Sequence, residues 1–428
     1  MIGKSRKKID IEKRIKGERN ALPSFKLDKI ENDTLIIKDL GFNKDKKIGA
    51  KKKFNIKLVA IIVFILLLIA TAIFAIKFIN FNVTEMIWKT SVTRGSDSIN
   101  NKSVKYDSFK NGLMRISNDG ITYIGDRGDV KWTVSYNMKD PIYESNEKYF
   151  VIADRNGYEF YIFDENGLSG NNTVTNPIQK LSLAADGIVY ILQSDEENSY
   201  INIYRSRGEI VDISIKTSLT GDGTAIDLGT SDDGVELAVA YVCLSNDKLF
   251  TKATYYNFGE VGQNVNSKRI VGEFVDEFDN KFLARAHFFD NNNSFLIYDG
   301  GIYFVSTKDP ANPIVTQNKE FDIKIRSISY NKKYIALVFE DDRMLMYNKD
   351  GTLLADKKID FDYENFYLSE DYAIFLYGNR IMIYDNRGRM IFDKEMEMEV
   401  QYVAKKHSLI FTELLVGLID GVECIRFY

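Results

Sequence analysis

One short phrase recurs along this chain and limits its fold more than any other feature. An apolar run ends in an aromatic, Asp, Asn or a polar substitute follows, and Gly comes a few residues later. Clear copies are Tyr123-Ile124-Gly125-Asp126-Arg127-Gly128, Ile162-Phe163-Asp164-Glu165-Asn166-Gly167, Ile203-Tyr204-Arg205-Ser206-Arg207-Gly208, Met346-Tyr347-Asn348-Lys349-Asp350-Gly351 and Ile383-Tyr384-Asp385-Asn386-Arg387-Gly388. Weaker copies lie at Tyr256-Asn257-Phe258-Gly259 and Tyr303-Phe304-Val305-Ser306. The phrase is a hairpin turn: Asp or Asn bonds its own backbone, and Gly supplies the positive φ that returns the chain. Counted at residues 126, 164, 205, 257, 306, 348 and 385, the steps are 38, 41, 52, 49, 42 and 37, and a further 43 reaches Tyr428. A four-stranded unit of about forty to fifty residues is the signature of a propeller blade.

The two ends of this region predict how the ring closes. The chain finishes on a marker-type strand, Gly421 to Tyr428 through Cys424, with no outer strand after it. The region begins with an orphan, Met86-Ile87-Trp88-Lys89-Thr90-Ser91, which resembles the strand after a marker elsewhere, as in Val130-Lys131-Trp132-Thr133-Val134 and Met390-Ile391-Phe392-Asp393. The orphan is therefore expected to complete the last blade and pair with Gly421–Tyr428. Eight blades fit the count, or seven if the irregular stretch 206–306 is counted differently.

Ahead of the repeats, Leu58–Ile76 is a run of nineteen residues without a charge, bounded by Lys57 and Lys77. At about 1.5 Å per residue it reaches roughly 28 Å, the depth of a hydrocarbon core, and the two lysines can snorkel to opposite interfaces. More than fifty residues precede it, too many for a signal peptide. Lysines 44, 46, 47, 51, 52, 53 and 57 crowd the N-terminal side, so the positive-inside rule places the N-terminus in the cytoplasm and the C-terminal mass outside. The expected organisation is a basic, mostly disordered tail over 1–53, a transmembrane helix over 54–79 with its core at 58–76, a connector over 80–85 and an extracytoplasmic all-β propeller over 86–428. The tail holds 17 Lys/Arg against 8 Asp/Glu, which suits anionic lipid head groups of the inner leaflet. The remainder is acidic, which argues against a nucleic-acid partner. A short helix around Ile9–Lys16 and a docking peptide in the tail are further possibilities.

With the blade phrase and Trp132 in place, the ectodomain resembles the propellers grouped with PQQ-dependent quinoproteins and WD-type repeats. The whole chain looks like a family of bacterial single-pass membrane proteins that carry such a domain. The resemblance implies architecture over residues 86–428 and, by analogy with cofactor-free propellers of envelope assembly, a docking role. Quinoprotein dehydrogenases use an adjacent-cysteine disulfide, whereas Cys243 and Cys424 stand far apart here; no cofactor is expected. The two cysteines read as small buried hydrophobes, with a bridge between them as the alternative.

No nucleophile elbow, P-loop or dinucleotide-binding phrase is present, and two histidines, His287 and His407, do not suggest a zinc site. Asp195-Glu196-Glu197, Asp232-Asp233 and Asp341-Asp342 read as turn tips, and Arg127-Gly128-Asp129 as part of a hairpin rather than an adhesion signal. Asp290-Asn291-Asn292-Asn293-Ser294 lacks the glycine and distal glutamate of a calcium loop. Asn82-Val83-Thr84 is an acceptor triplet only in a host that glycosylates. The stretched unit at 216–280 is either a binding element or a tolerated insertion. The reading that follows is a non-catalytic, membrane-anchored platform for another envelope protein or a wall component. Two alternatives are a sensor that signals through the tail and a propeller enzyme acting on glycans. A protease added to intact cells, stripped of any wall, should digest residues beyond about 85 and spare the tail; a protected C-terminal domain would reverse the orientation.

Overall fold

The computed structural model describes the backbone of Ile56–Phe78, Thr84–Ser91 and residues 104–427 other than 407, 409 and 410, with two short pieces, Ile30–Glu31 and Thr34–Leu35. Those two pieces pair antiparallel with each other. The expected helix at Ile9–Lys16, the connector residues 80–83, His407 and Tyr428 lie outside the described residues. The chain divides into two units, Met1–Thr71 and Ala72–Tyr428.

Helix α1 spans Ile56–Phe78, with side chains described for residues 60–72. Every residue from Ile61 to Ile69 is between 49% and 63% exposed. Among the described residues no helix is long and apolar enough to cross a membrane.

The C-terminal unit is an eight-bladed, all-β propeller of four-stranded antiparallel sheets. Blade 1 comprises Lys105–Phe109, Gly112–Ile116, Gly120–Ile124 and Val130–Ser135, and blades 2 to 7 follow in chain order, ending at Glu395. In each of these seven the first strand is innermost and the fourth outermost. Blade 8 breaks that order. Its inner three strands are Val400–Lys406, Thr412–Leu418 and Gly421–Phe427, and its outer strand is Thr84–Ser91, from the other end of the domain. Trp88 faces Cys424 and Ser91 faces Gly421 in that pairing. The strand begins at Thr84, within the stretch expected to be connector.

Short apolar runs form the second and third strands of each blade because both of their faces pack against neighbouring blades. Phe150–Ala153, Leu237–Tyr241, Ile335–Val338 and Ala373–Leu376 are buried throughout. Apolar clusters accordingly lie between blades; one joins Phe109 and Ile121 of blade 1 to Phe150 and Phe163 of blade 2. Outer strands alternate instead, as in Ile314–Glu320.

The recurring phrase sits at the turn from third to fourth strand, and its glycines Gly128, Gly167, Gly208, Gly351 and Gly388 all take positive φ. The turns also join one blade to the next. Thr90 Oγ1 of blade 8 donates to Gly128 O of blade 1 at 2.6 Å. Trp132 Nε1 of blade 1 donates to Glu165 O of blade 2 at 3.1 Å, Asn172 Nδ2 of blade 2 to Gly208 O of blade 3 at 2.8 Å, and Gln317 Nε2 of blade 5 to Asp350 O of blade 6 at 2.6 Å. At Gly128 a side chain has no room, since a Cβ there would stand 2.6 Å from Trp88 Cε3.

The stretched fourth unit spends its extra residues on a long hairpin, Glu236–Ser245 with Lys248–Asn257, and on two helical pieces, α2 (Glu260–Val265) and a 3₁₀ turn at Asp276–Phe278. Sequence periodicity did not indicate these pieces. Asn257 Oδ1 starts α2 by accepting from Gly259 N and Gly262 N.

Deleting residues 421–427, or starting the domain after Ser91, exposes a long strand edge and splits blade 8. Either truncation should lower the thermal midpoint of the whole domain by at least about 10 °C, as loss of several kcal/mol requires. A midpoint within a degree or two of the parent would remove closure as a source of stability. Gly128→Val should cost about 1–3 kcal/mol by denaturant unfolding, through its positive φ and the neighbouring indole.

Candidate functional site

Around the propeller axis the eight innermost strands face one another and are joined by short contacts. Tyr402 OH of blade 8 accepts from Ser108 N of blade 1 at 3.3 Å and donates to Asp107 Oδ1 at 3.2 Å. Ser145 Oγ of blade 2 donates to Asp107 Oδ2 at 2.9 Å, and Asn146 Nδ2 donates to Ala184 O beside blade 3 at 2.7 Å. Thr230 N of blade 4 donates to Ser182 Oγ of blade 3 at 2.9 Å. Ala286 N of blade 5 donates to Asp227 Oδ2 of blade 4 at 3.1 Å. The His287 ring of blade 5 lies 4.5 Å from that of Tyr330 of blade 6. Leu368 N of blade 7 donates to Ser329 Oγ of blade 6 at 2.8 Å. Val403 N of blade 8 donates to Tyr367 OH of blade 7 at 2.5 Å. The inner seam is continuous around the ring.

Five of the innermost strands carry a β-bulge, immediately before Lys180, Asp227, Arg285, Ser327 and Tyr402. A bulge re-aims the side chain that follows it, and here it brings charged residues of successive blades together. Lys180 Nζ stands 3.0 Å from Asp227 Oδ1, and Arg285 Nη1 stands 3.6 Å from the same oxygen. Three blades thus share one carboxylate that is only 8% exposed.

Two further carboxyl groups complete the ring. Burial raises Asp107 to about 6, against hydrogen bonds from Ser145, Ser108 N and Tyr402 that lower it. Burial raises Glu144 to about 8; Asp107 and Asp227 push the same way and Lys180 opposes them. Glu144 makes no hydrogen bond or ion pair among the described residues, and at neutral pH it is mostly the uncharged acid. Burial holds His287 down at about 4, so its imidazole is neutral. Beside Glu144 a cavity of about 260 Å³ opens between blades 1, 2 and 3, lined by Lys105, Tyr143, Arg155 and Lys180 as well. A second hollow, of about 430 Å³, lies where the stretched unit meets the outer strand of blade 3, with Ile213, Phe258 and Lys268 on its walls.

The residues singled out from sequence occupy other places. Asp126, Asp164, Asn348 and Asp385 lie at or just past the ends of third strands, with the five marker glycines in the turns that follow, away from the axis. Trp88 and Cys424 meet in blade 8; Lys57 and Lys77 fall within α1. Cys243 and Cys424 are free buried thiols, so the bridge weighed as an alternative does not form. Asp290 takes bonds from Asn292 N and Asn293 Nδ2 and pairs with Lys349 at 2.6 Å, which neutralises it. Among the described residues no cluster of three or more His, Cys, Asp or Glu side chains could hold a metal ion. The axial charges were missed because each stands alone in its own short strand; the available signal was one charged residue two or three positions into the first strand of consecutive units.

The description "Family of unknown function (DUF5711)" matches this sequence over residues 81–426. No curated protein matches it at a significant level. Among solved structures the fold resembles Sqt1 of Saccharomyces cerevisiae, with TM-score 0.53, 11% identity and coverage of 79% of this chain and 98% of that one. BamB of Moraxella catarrhalis aligns with TM-score 0.47 and 10% identity over 81% of this chain and 100% of that one. At these identities the first likeness speaks for the fold alone.

Glu144 has a folded-state pKa above its ordinary value of 4.5, so its ionisation opposes folding. The fold loses stability from this group as pH rises from about 4.5 to about 8. Glu144→Gln should therefore stabilise the protein by about 1–3 kcal/mol at pH 9 and by little at pH 4. Denaturant melts at the two pH values test this; equal effects at both would disprove the assignment. Asp227→Ala, which leaves Lys180 and Arg285 facing each other and orphans Ala286 N, should cost about 2–3 kcal/mol.

Proposed function

The chain belongs to that family, and we propose that this member is a membrane-anchored binding platform that engages its partner at the axial mouth of the propeller. The partner class is another envelope protein or a wall component. The single observation behind the binding role is the axial ring itself: charged side chains from separate blades converge in one polar space, on strands locked by a continuous inner seam. Such preorganisation lowers the ordering cost of binding. No set of acid, base and nucleophile at reacting distance accompanies the ring among the described residues, so a docking reading needs fewer assumptions than an enzymatic one.

Support for the anchor is the charge-free run Leu58–Ile76, together with the half-exposed apolar side chains on every face from Ile61 to Ile69. Burying them in lipid removes a cost that water would impose. The lysine excess before the helix supports an N-terminus on the cytoplasmic side and a propeller outside, with the basic tail against anionic head groups.

Photo-crosslinking residues placed at Lys105, Arg155 and Arg285 test the platform in intact cells. They should capture one discrete partner, whereas the same probe at Lys319 on the outer edge of blade 5 should not. Equal capture at rim and axis would remove the mouth as the docking site. Replacing residues 1–53 with an unrelated basic stretch should leave the cellular role unchanged; loss of role with normal insertion and abundance would favour the sensor.

A further inference from the structure

The cavity beside Glu144 has a charge balance that specifies its ligand more narrowly than the platform reading does. Three cationic side chains line it: Lys105 at the start of the innermost strand of blade 1, Arg155 after the second strand of blade 2, and Lys180 in blade 3. Lys180 is paired with Asp227 at 3.0 Å. Arg155 uses Nε toward Asp140 at 3.2 Å, and its two terminal amino groups carry no bond among the described residues. Lys105 has no partner among the described residues. The one acidic group on the wall, Glu144, likewise has none. The space is about 260 Å³, at or below the lower end of ordinary ligand pockets.

We propose that this cavity binds a small oxyanion, a carboxylate, sulfate or phosphate group, held by Lys105 and the free end of Arg155 with Glu144 donating a hydrogen bond from its protonated carboxyl. The proposal rests on the platform reading only in taking the axial mouth as the place of contact. A cationic ligand is disfavoured, because three positive groups surround the space and the neighbouring carboxylates are already engaged: Asp227 by Lys180 and Arg285, Asp140 by Arg155, and Asp107 by Ser145, Ser108 N and Tyr402. Arg and Lys donors suit oxyanions because their bonds to them are charge-assisted.

Glu144 makes the site sensitive to pH with a definite sign. Asp107 and Asp227 face it and favour its proton; Lys180 faces it and opposes them; Tyr143 and Tyr330, also coupled to it, stay protonated. Lys105 and Arg155 share its cavity, and His287 beside Asp227 is neutral. Only the acid form donates to an oxyanion, so affinity falls once pH passes about 8. At pH 9 the acid is about one part in ten, which predicts roughly tenfold weaker binding than at pH 6.5.

The test is isothermal titration of the full chain, held in detergent micelles, with sodium acetate and sodium sulfate at constant ionic strength. Both anions stay fully charged from pH 6.5 to 9, so a change in affinity reports on the protein. Saturable binding that weakens about tenfold at pH 9, fails in Lys105→Ala and Arg155→Ala, and loses its pH dependence in Glu144→Gln without losing affinity at pH 6.5 supports the site. A thermal melt of each variant confirms that it is folded. No saturable binding, or affinity unchanged in both cation variants, overturns it. Polyglutamate distinguishes two sources of the same chemistry: per-carboxylate affinity equal to that of acetate points to a free solute, and affinity a hundredfold higher to an acidic group on a polymer. Partner capture without oxyanion binding would sink this inference alone, and oxyanion binding without partner capture would sink the platform reading alone.

Discussion

A β-sheet edge carries backbone donors and acceptors that must be paired, shielded or left to aggregate, and the architecture of this domain follows from meeting that constraint around a circle. Seven blades are built from consecutive strands, and the eighth is assembled from the two ends of the domain. The pairing of Thr84–Ser91 with Gly421–Phe427 keeps blade 8 complete, so that it presents full faces to blades 7 and 1. Phe392 of blade 7 packs on Phe427 at 5.1 Å between ring centres, and Tyr106 of blade 1 donates to Leu418 O at 2.7 Å. Both contacts are made by inner strands of blade 8, the third of which Thr84–Ser91 covers. The same strand reaches blade 1 on its other side through Thr90 and Trp88, which close over the turn at Gly128.

Closure also explains why the domain has two seams rather than one continuous core. The blades diverge outward, and the apolar second and third strands fill the wedges between them. At the rim, side chains of outer strands bond to turn carbonyls of the next blade. At the axis the strands approach closely enough for single side chains to cross from blade to blade, and hydroxyls bonded to backbone N–H groups do that work at Ser182, Ser329, Ser369 and Tyr367. A polar inner seam is stable because nearly every buried donor there has an acceptor.

The axis is where structural need and chemistry meet. Five bulges turn side chains out of the blade faces, and the ring gives those chains nowhere to spread. Asp227 is balanced by two cations, while Glu144 is left among carboxylates and keeps its proton to about pH 8. An uncharged acid beside underused lysine and arginine donors contributes little to stability, and the proposed oxyanion site would draw on those same groups.

Much of the architecture was legible in the chain. The spacing of the Asp/Asn-to-Gly turns set the unit length and favoured eight blades over seven, because a tight hairpin needs particular residues at particular steps and so leaves a local trace; the closed ring decided the count. The unmatched strand around Trp88 and the missing strand after Cys424 pointed to each other for the same reason: both are short-range patterns of known partner type. The candidate site was not legible, and the cause is physical. Asp107, Glu144, Lys180, Asp227 and Arg285 each occupy an ordinary strand position with no motif around it, and they become a constellation only when closure brings innermost strands from 36 to 58 residues apart to a common axis. Turn chemistry and hydrophobic period act over a few residues and are written into the sequence. Convergence at the axis, and the pKa shifts that come with it, belongs to the closed ring.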